Sequence, residues 1–374
     1  MLKGFKYSYR FICNKNCIRH SSQGNIWKER VFSGIQPTGT LHIGNYFGAV
    51  QNWVKLQNEK KDVIFSIVDL HSITLPQDPK TLHFSILKMT ATLLACGIEP
   101  SKCILFQQSK VPEHTLLGWV LGTLTTMARL YHFPQYKEKS AALRDIPLGL
   151  FVYPVLQAGD ILLYKSTHVP VGDDQQQHLH LAQHLVHCFN NKYGITFPLP
   201  ENVVVSDTGA QAGKIRSLRE PEKKMSKSHA DPKSRIEISD SPDAILTKIK
   251  KAVTDFTSEI TYDQENRPGV SNLIDILSLS TGKTIQEVCD EASNMDTARF
   301  KVLVADVLIE KLSPIRNRMQ ELMDSPEYLE KVLETGASQA KEIAEKTWSE
   351  VSQKIGFQNN LISTSFKASN VVKS

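Results

Sequence analysis

Val31-Phe32-Ser33-Gly34-Ile35-Gln36-Pro37-Thr38-Gly39-Thr40-Leu41-His42-Ile43-Gly44-Asn45 begins as an apolar strand and runs at once into residues that end one. Val31 to Ile35 reads as a buried strand, and Pro37 and Gly39 interrupt regular structure after it. From Asn45 to Asn58 the apolar residues Phe47, Val50, Val54 and Leu56 suit one face of a helix. Strand, tight turn and helix direct unpaired backbone N–H groups and the positive helix end at one point, with the His42 imidazole beside them. That point suits a phosphate. Gly34, Gly39 and Gly44 lack the Cβ atoms that would hold a nucleotide off the backbone. Glycine turns between strand and helix are common, so the stretch fits an ordinary connection equally well.

Lys224-Met225-Ser226-Lys227-Ser228 lies in a segment, 213–235, with eight basic residues against three acidic ones. One reading is a solvated charge run. The other is a loop that closes on a polyphosphate: its lysines are point charges for developing negative charge, and its two hydroxyls bond phosphate oxygens or the loop's own turn.

Together the two motifs resemble the signature pair of the class I aminoacyl-tRNA synthetases. In that family a His-Ile-Gly-His-like sequence opens a Rossmann-type domain and Lys-Met-Ser-Lys-Ser closes it. His42-Ile43-Gly44-Asn45 ends in Asn rather than His. With Ser33-Gly34-Ile35-Gln36-Pro37-Thr38-Gly39 before it, the chain is most similar to the tryptophanyl-tRNA synthetases, over roughly residues 30–357.

The chain has 374 residues, 41% of them hydrophobic, enough to bury sizeable cores in more than one domain. No apolar run is long enough to span a bilayer. The net charge of +5 carries no message about nucleic acid, because residues 1–28 hold six basic residues and no acid, leaving the remainder one unit negative. That acid-free segment, with Phe5, Tyr7, Tyr9, Phe11 and Ile12 among its cations and Ser21 and Ser22 after them, resembles a mitochondrial presequence and points to the matrix. A basic arm that stays attached is the alternative. Six cysteines at 13, 17, 96, 103, 188 and 289 have no paired spacing, so neither a disulfide framework nor a zinc site is indicated. His180, His184 and His187 share a helix face and fit either packed histidines or zinc ligands.

Past the opening unit, Asp62 to Val68 is a continuous apolar strand ending in Asp69-Leu70-His71-Ser72. Asp78-Pro79 starts a helix that stops near Gly97, and Cys103 to Gln107 is the next strand. Helices are expected at about 112–130 and 148–163, a strand at 169–172, a helix from Asp173 to about Asn191 and a strand at 203–205. This alternation predicts an α/β fold: a Rossmann-like doubly wound parallel sheet over 29–235 with a helical insertion at about 112–163. Helical periodicity then dominates in an α-helical C-terminal domain, 236–357, with Gly336 ending one helix before another, and the tail 358–374 is predicted to be disordered.

The resemblance implies the chemistry. Tryptophan is activated with ATP and transferred to tRNA(Trp), with Mg²⁺ on the phosphates, by a homodimer whose helical domain reads the anticodon. His42, Lys224 and Lys227 are the implied catalytic residues. Gln36, Gly44, Asn45, Gly172, Asp173, Asp174, Ile215, Lys224, Met225, Ser226, Lys227 and Ser228 match ATP-binding positions, and Lys137 matches a lysine near the phosphates. Asp173 stands where the family has Glu. From sequence Asp160, in Gln157-Ala158-Gly159-Asp160-Ile161-Leu162-Leu163, reads as a buried carboxylate paired within the protein. The resemblance makes it the acceptor of the indole N–H, a contact phenylalanine cannot satisfy, with Tyr153 and Gln175 at the α-ammonium and Phe32, His71, Gln157 and Val169 or Val171 as walls. A tyrosyl-tRNA synthetase, a small-molecule nucleotidylyltransferase and a non-catalytic binding protein are the competing readings.

Overall fold

The computed structural model describes residues 27–59, 62–133, 136, 144–172, 175–203, 215–227 and 229–357. Residues 1–26 and 358–374, together with Lys137, Asp173, Asp174 and Ser228, lie outside the described residues.

β1 (Arg30–Ile35), β2 (Asp62–Ile67), β3 (Ile104–Gln107), β4 (His168–Val169) and β5 (Glu201–Asn202) form one parallel sheet in the order β3-β2-β1-β4-β5. Alternation along the strands sends Val31, Phe65 and Leu105 into the core on one face and Phe32, Ile64 and Phe106 into the core on the other. The chain builds from β1 through β2 to β3, then returns to add β4 and β5 on the far side. Strand order therefore reverses between β1 and β4, and the carboxyl ends of two such strands border a crevice that suits ligands. The doubly wound α/β fold predicted above is the observed one.

α1 (Ile43–Asn45), a π-helical turn (Tyr46–Val50) and α2 (Gln51–Asn58) replace the single helix predicted from Asn45. α3 (Asp69–Ser72) follows β2, and α4 (Pro79–Ala95) starts where the Asp78 carboxylate accepts the Thr81 N–H at 2.9 Å. The inserted layer between β3 and β4 is α5 (Glu113–Gly122), α6 (Met127–Tyr131) and α7 (Leu148–Leu163). One helix was expected over about 112–130; two form, because Thr126 turns extended and caps the second by accepting the Arg129 N–H. α8 (Gln176–Tyr193) leads to β5, which lies at Glu201–Asn202 rather than at 203–205. Positions 204 and 205 lie outside the described residues. α9 (Pro242–Lys250), α10 (Pro268–Thr281), α11 (Ile285–Glu291), α12 (Thr297–Met323) and α13 (Pro326–Ile355) follow. Their buried side chains, Ile249, Ile274, Phe300 and Leu308 among them, run on from Val31 and Phe65 of the sheet in one apolar cluster.

The expected break at Gly336 is corrected, since α13 passes through it without interruption. A Cβ there would lie 1.9 Å from the Leu105 carbonyl oxygen of β3. The glycine serves close approach of helix to strand, not termination. Leu329 and Leu333, before it, join the core on one face of the sheet, and Ala337, Ala340 and Ala344, after it, join the core on the other. α13 thus crosses the outer edge at β3 and covers an otherwise open strand.

Candidate active site

The segments leaving the carboxyl ends of β1, β2 and β3 carry the polar residues of the site. His42 caps α1: its Nδ1 accepts the Asn45 N–H at 3.3 Å, and the Asn45 Oδ1 accepts the His42 N–H at 3.4 Å. A ring nitrogen that accepts carries no proton, so the neutral ring bears its hydrogen on Nε2 and can donate from there. Burial, then the charges of Lys227, Arg235 and Lys224, lower the His42 pKa to about 3. His42 is therefore a neutral donor among cations, and the Asn in the fourth motif position is the residue that orients it. A Cβ on Gly44 would meet the His42 ring at 3.0 Å, and Gly39, at φ +71°, faces the Lys227 side chain at 3.3 Å. The space these glycines leave is occupied by the protein's own catalytic candidates.

The lysine loop is held at both ends. The Met225 N–H donates to the Ile215 carbonyl at 3.0 Å and the Ser217 N–H to the Lys223 carbonyl at 2.9 Å. The Met225 side chain is buried, which pins the loop between Lys224 and Lys227. Lys227 Nζ donates to the Thr38 carbonyl at 3.1 Å, in the turn after β1. Beyond the loop the Ile43 N–H donates to the Ile236 carbonyl and the Ile238 N–H to the Leu41 carbonyl, both at 2.9 Å. The His42 turn is thereby backbone-paired with the segment that follows the lysine loop. Burial lowers the Lys227 pKa to about 8, against the opposing charge of Glu237.

Asp160, on α7, is 2% exposed and hydrogen-bonded at both carboxylate oxygens. His71 Nε2, just past β2, lies 2.7 Å from its Oδ2. Gln108 Nε2, just past β3, donates to its Oδ1 at 2.6 Å, and His114 Nδ1, on α5, lies 2.6 Å from the same oxygen. Burial pushes this carboxyl up, but the charge of His71 and the hydrogen bonds from His114 and His71 more than reverse that and hold it well below the usual carboxylate range. The reading made from the residues alone, a buried carboxylate paired within the protein, is the observed arrangement. Asp69 ties the same strand ends together, accepting from the Ser109 N–H at 3.0 Å and Gln107 Nε2 at 2.7 Å.

Tyr153 is buried, its hydroxyl 2.9 Å from His178 Nε2 and its ring edge toward His71. Gln157 Nε2 reaches Gln175 Oε1 at 3.5 Å, and the Gln175 N–H donates to the Gly172 carbonyl at 2.9 Å. Phe32 stacks on Tyr164 at 5.5 Å, Val169 is buried and Ile215 is buried next to Gly44, while Gln36 is exposed. His184 pairs with Cys188 on its own helix, and among the described residues no three His, Cys, Asp or Glu groups are placed to hold a metal. Sequence reasoning missed Gln108, His114 and Tyr164. Tyr164 stands four residues after Asp160 on the same helical face, a spacing that could have revealed it, whereas Gln108 and His114 are 52 and 46 residues away and left no local signal.

A nucleotide crevice at the strand reversal, a capped His-Ile-Gly-Asn turn and a lysine loop paired to it make up the architecture of a class I aminoacyl-tRNA synthetase. Residues 28–313 match the family model described as tRNA synthetases class I (W and Y). The tryptophan–tRNA ligase of Caldanaerobacter subterraneus is 45% identical over 88% of this chain and 98% of its own length. The mitochondrial tryptophan–tRNA ligase of Caenorhabditis elegans is 45% identical over 87% of this chain and 91% of its own. The crystal structure of Campylobacter jejuni tryptophanyl-tRNA synthetase complexed with ADP and tryptophan superposes with a TM-score of 0.75 at 34% identity, covering 87% of this chain and 99% of that one. The chain belongs to the tryptophan–tRNA ligases.

Proposed function

We propose that the enzyme binds L-tryptophan against Asp160 and ATP between His42 and the 224–228 loop, forms tryptophanyl-adenylate, and passes the acyl group to tRNA(Trp). A tryptophan carboxylate oxygen attacks the α-phosphorus; the bond from that phosphorus to the β-phosphate oxygen breaks, and pyrophosphate leaves. The 3′-terminal ribose hydroxyl of tRNA then attacks the acyl carbon and releases AMP. No protein nucleophile is needed. His42 Nε2–H, Lys224 and Lys227 stabilise charge on the departing phosphates, a catalysis of position and electrostatics. The observation that carries this reading is the Lys227 contact with the Thr38 carbonyl, which brings the lysine loop onto the turn that holds His42. Mg²⁺ accompanying ATP would neutralise part of the phosphate charge, alongside Lys224, Lys227 and Arg235 around His42.

The finer parts of the proposal have their own support. ATP contacts at Gln36, Gly44, Asn45, Gly172, Asp173, Asp174 and Ile215 are proposed from the family motifs, with support from the bond of Asn45 to His42 and the packing of Ile215 next to Gly44. Import into mitochondria is supported by the acid-free segment of residues 1–28. Trp27 already lies under Lys165 Nζ at 5.4 Å and Lys28 pairs with Asp62 at 2.8 Å, so removal is expected before Trp27. A homodimer is supported by exposed apolar side chains on the inserted layer, Trp119, Met127 and Leu148 being 77%, 76% and 73% exposed. The helical region 236–357 is proposed to read the anticodon.

Amino-acid-dependent ATP–pyrophosphate exchange, measured with each amino acid separately, tests the assignment. Exchange is expected with tryptophan alone. Exchange with tyrosine and not tryptophan would overturn it.

A further inference from the structure

The floor under Asp160 is built more elaborately than pairing a carboxylate requires. Each of two partners is itself locked by a further group. Gln108 Oε1 accepts the Leu70 N–H at 3.2 Å, which orients its amide so that the NH₂ end faces Asp160. His114 Nε2 lies 2.8 Å from the Tyr164 hydroxyl. Burial, then the charges of Asp160 and Glu113, push the Tyr164 phenol well above its ordinary value, so it keeps its proton, and with the acceptor-only Asp160 facing Nδ1 the bare nitrogen left to accept its hydrogen bond is His114 Nε2. The remaining ring hydrogen then sits on Nδ1, aimed at Asp160. Phe106 lies along His114 at 5.7 Å and edge-on to Tyr164, Phe32 stacks on Tyr164, and Tyr164 is fully buried. Gln108 and His114 are likewise fully buried.

We infer that Gln108, His114 and Tyr164 are positioning residues that hold Asp160 as an acceptor-only carboxylate, and that Tyr164 governs amino-acid selectivity through His114 rather than by touching the amino acid. The inference rests on the reading that Asp160 accepts the indole N–H. A carboxylate has about four acceptor positions, of which His71, Gln108 and His114 use three, leaving one for a donor from the ligand. Were His114 to carry its hydrogen on Nε2, a bare nitrogen would face the carboxylate, and Asp160 would answer by taking up a proton or turning away. Either response removes the acceptor that separates an indole from a ring of the same shape with nothing to donate.

Tyr164→Phe in the full chain removes only the hydroxyl and retains both ring stacks. The probe is a tryptophan analogue with sulfur in place of the indole N–H, compared with tryptophan in ATP–pyrophosphate exchange. Wild type is expected to prefer tryptophan. In Tyr164→Phe the tryptophan KM is expected to rise about tenfold while kcat, the ATP KM and the analogue KM stay within about twofold, so the preference shrinks by the same tenfold. His114→Ala is expected to lose more of the preference, and His114→Asn, which still offers an N–H to Asp160, to recover part of it. An equal loss for both substrates, or an unchanged preference in Tyr164→Phe and His114→Ala, overturns the inference. A wild type that does not distinguish tryptophan from the analogue removes the reading of Asp160 itself, and the inference with it.

Discussion

At the scale of single residues the site is a set of protonation states imposed by neighbours. His42 Nδ1 is occupied by the Asn45 N–H and the ring is surrounded by cations, so it acts as a neutral donor whose strength grows only as negative charge develops opposite it. His42→Ala is therefore expected to lower kcat for adenylate formation by about 10²-fold with little change in the ATP KM; a raised KM with kcat intact would contradict a transition-state role. Lys227 must be charged to serve, and burial brings its pKa down to about 8. A base with a lowered pKa loses its proton as pH rises, so kcat/KM for ATP is expected to fall through about pH 8. Lys227→Ala should be slow in single turnover, should bind tryptophan nearly as well, and should lack that alkaline limb. The roles proposed for His42 and Lys227 come from motif and family, whereas their ionisation was not legible there, because it depends on burial and on charges elsewhere in the chain.

Among the elements, α13 shows where sequence signals run out. Its length and apolar spacing were readable, yet Gly336 was taken for a stop, because a glycine that ends a helix and one that lets it touch a strand look identical in one dimension. Only contact with Leu105 separates the two uses. Gly336→Ala would raise helix propensity and still destabilise, since the added methyl meets a backbone carbonyl that no rotamer change can move. A loss of about 1–3 kcal/mol or more is expected in denaturant or thermal unfolding, and a stabilised variant would refute the contact. β1, β2, β3 and α7 were read nearly to the residue, because unbroken apolar runs such as that of β2 are local properties, whereas the two-residue strands β4 and β5 were expected at 169–172 and 203–205 and form at His168–Val169 and Glu201–Asn202. The break between α5 and α6 hangs on one extended threonine and was missed.

For the whole molecule, the exposed apolar side chains of the inserted layer call for a partner. A second copy is the expected one: sedimentation should give a dimer, and a Met127→Glu, Leu148→Glu double variant should shift it to monomer with loss of activity, whereas a monomeric active wild type would exclude the arrangement. The amino-acid sequence alone determined the class of fold, because strand and helix periods are contained in contiguous residues; the partnership of the His42 turn with the 224–228 loop, and the reaction proposed from it, entered through resemblance to a family, and the contact between the two came from the tertiary structure. The tertiary structure alone decided which nitrogen of His42 donates, why Gly336 is glycine, and that Asp160 rests on His71, Gln108 and His114. Hydrogen-bond partners, burial and local dielectric are set by segments brought together across the sheet, and no short stretch of the chain encodes them.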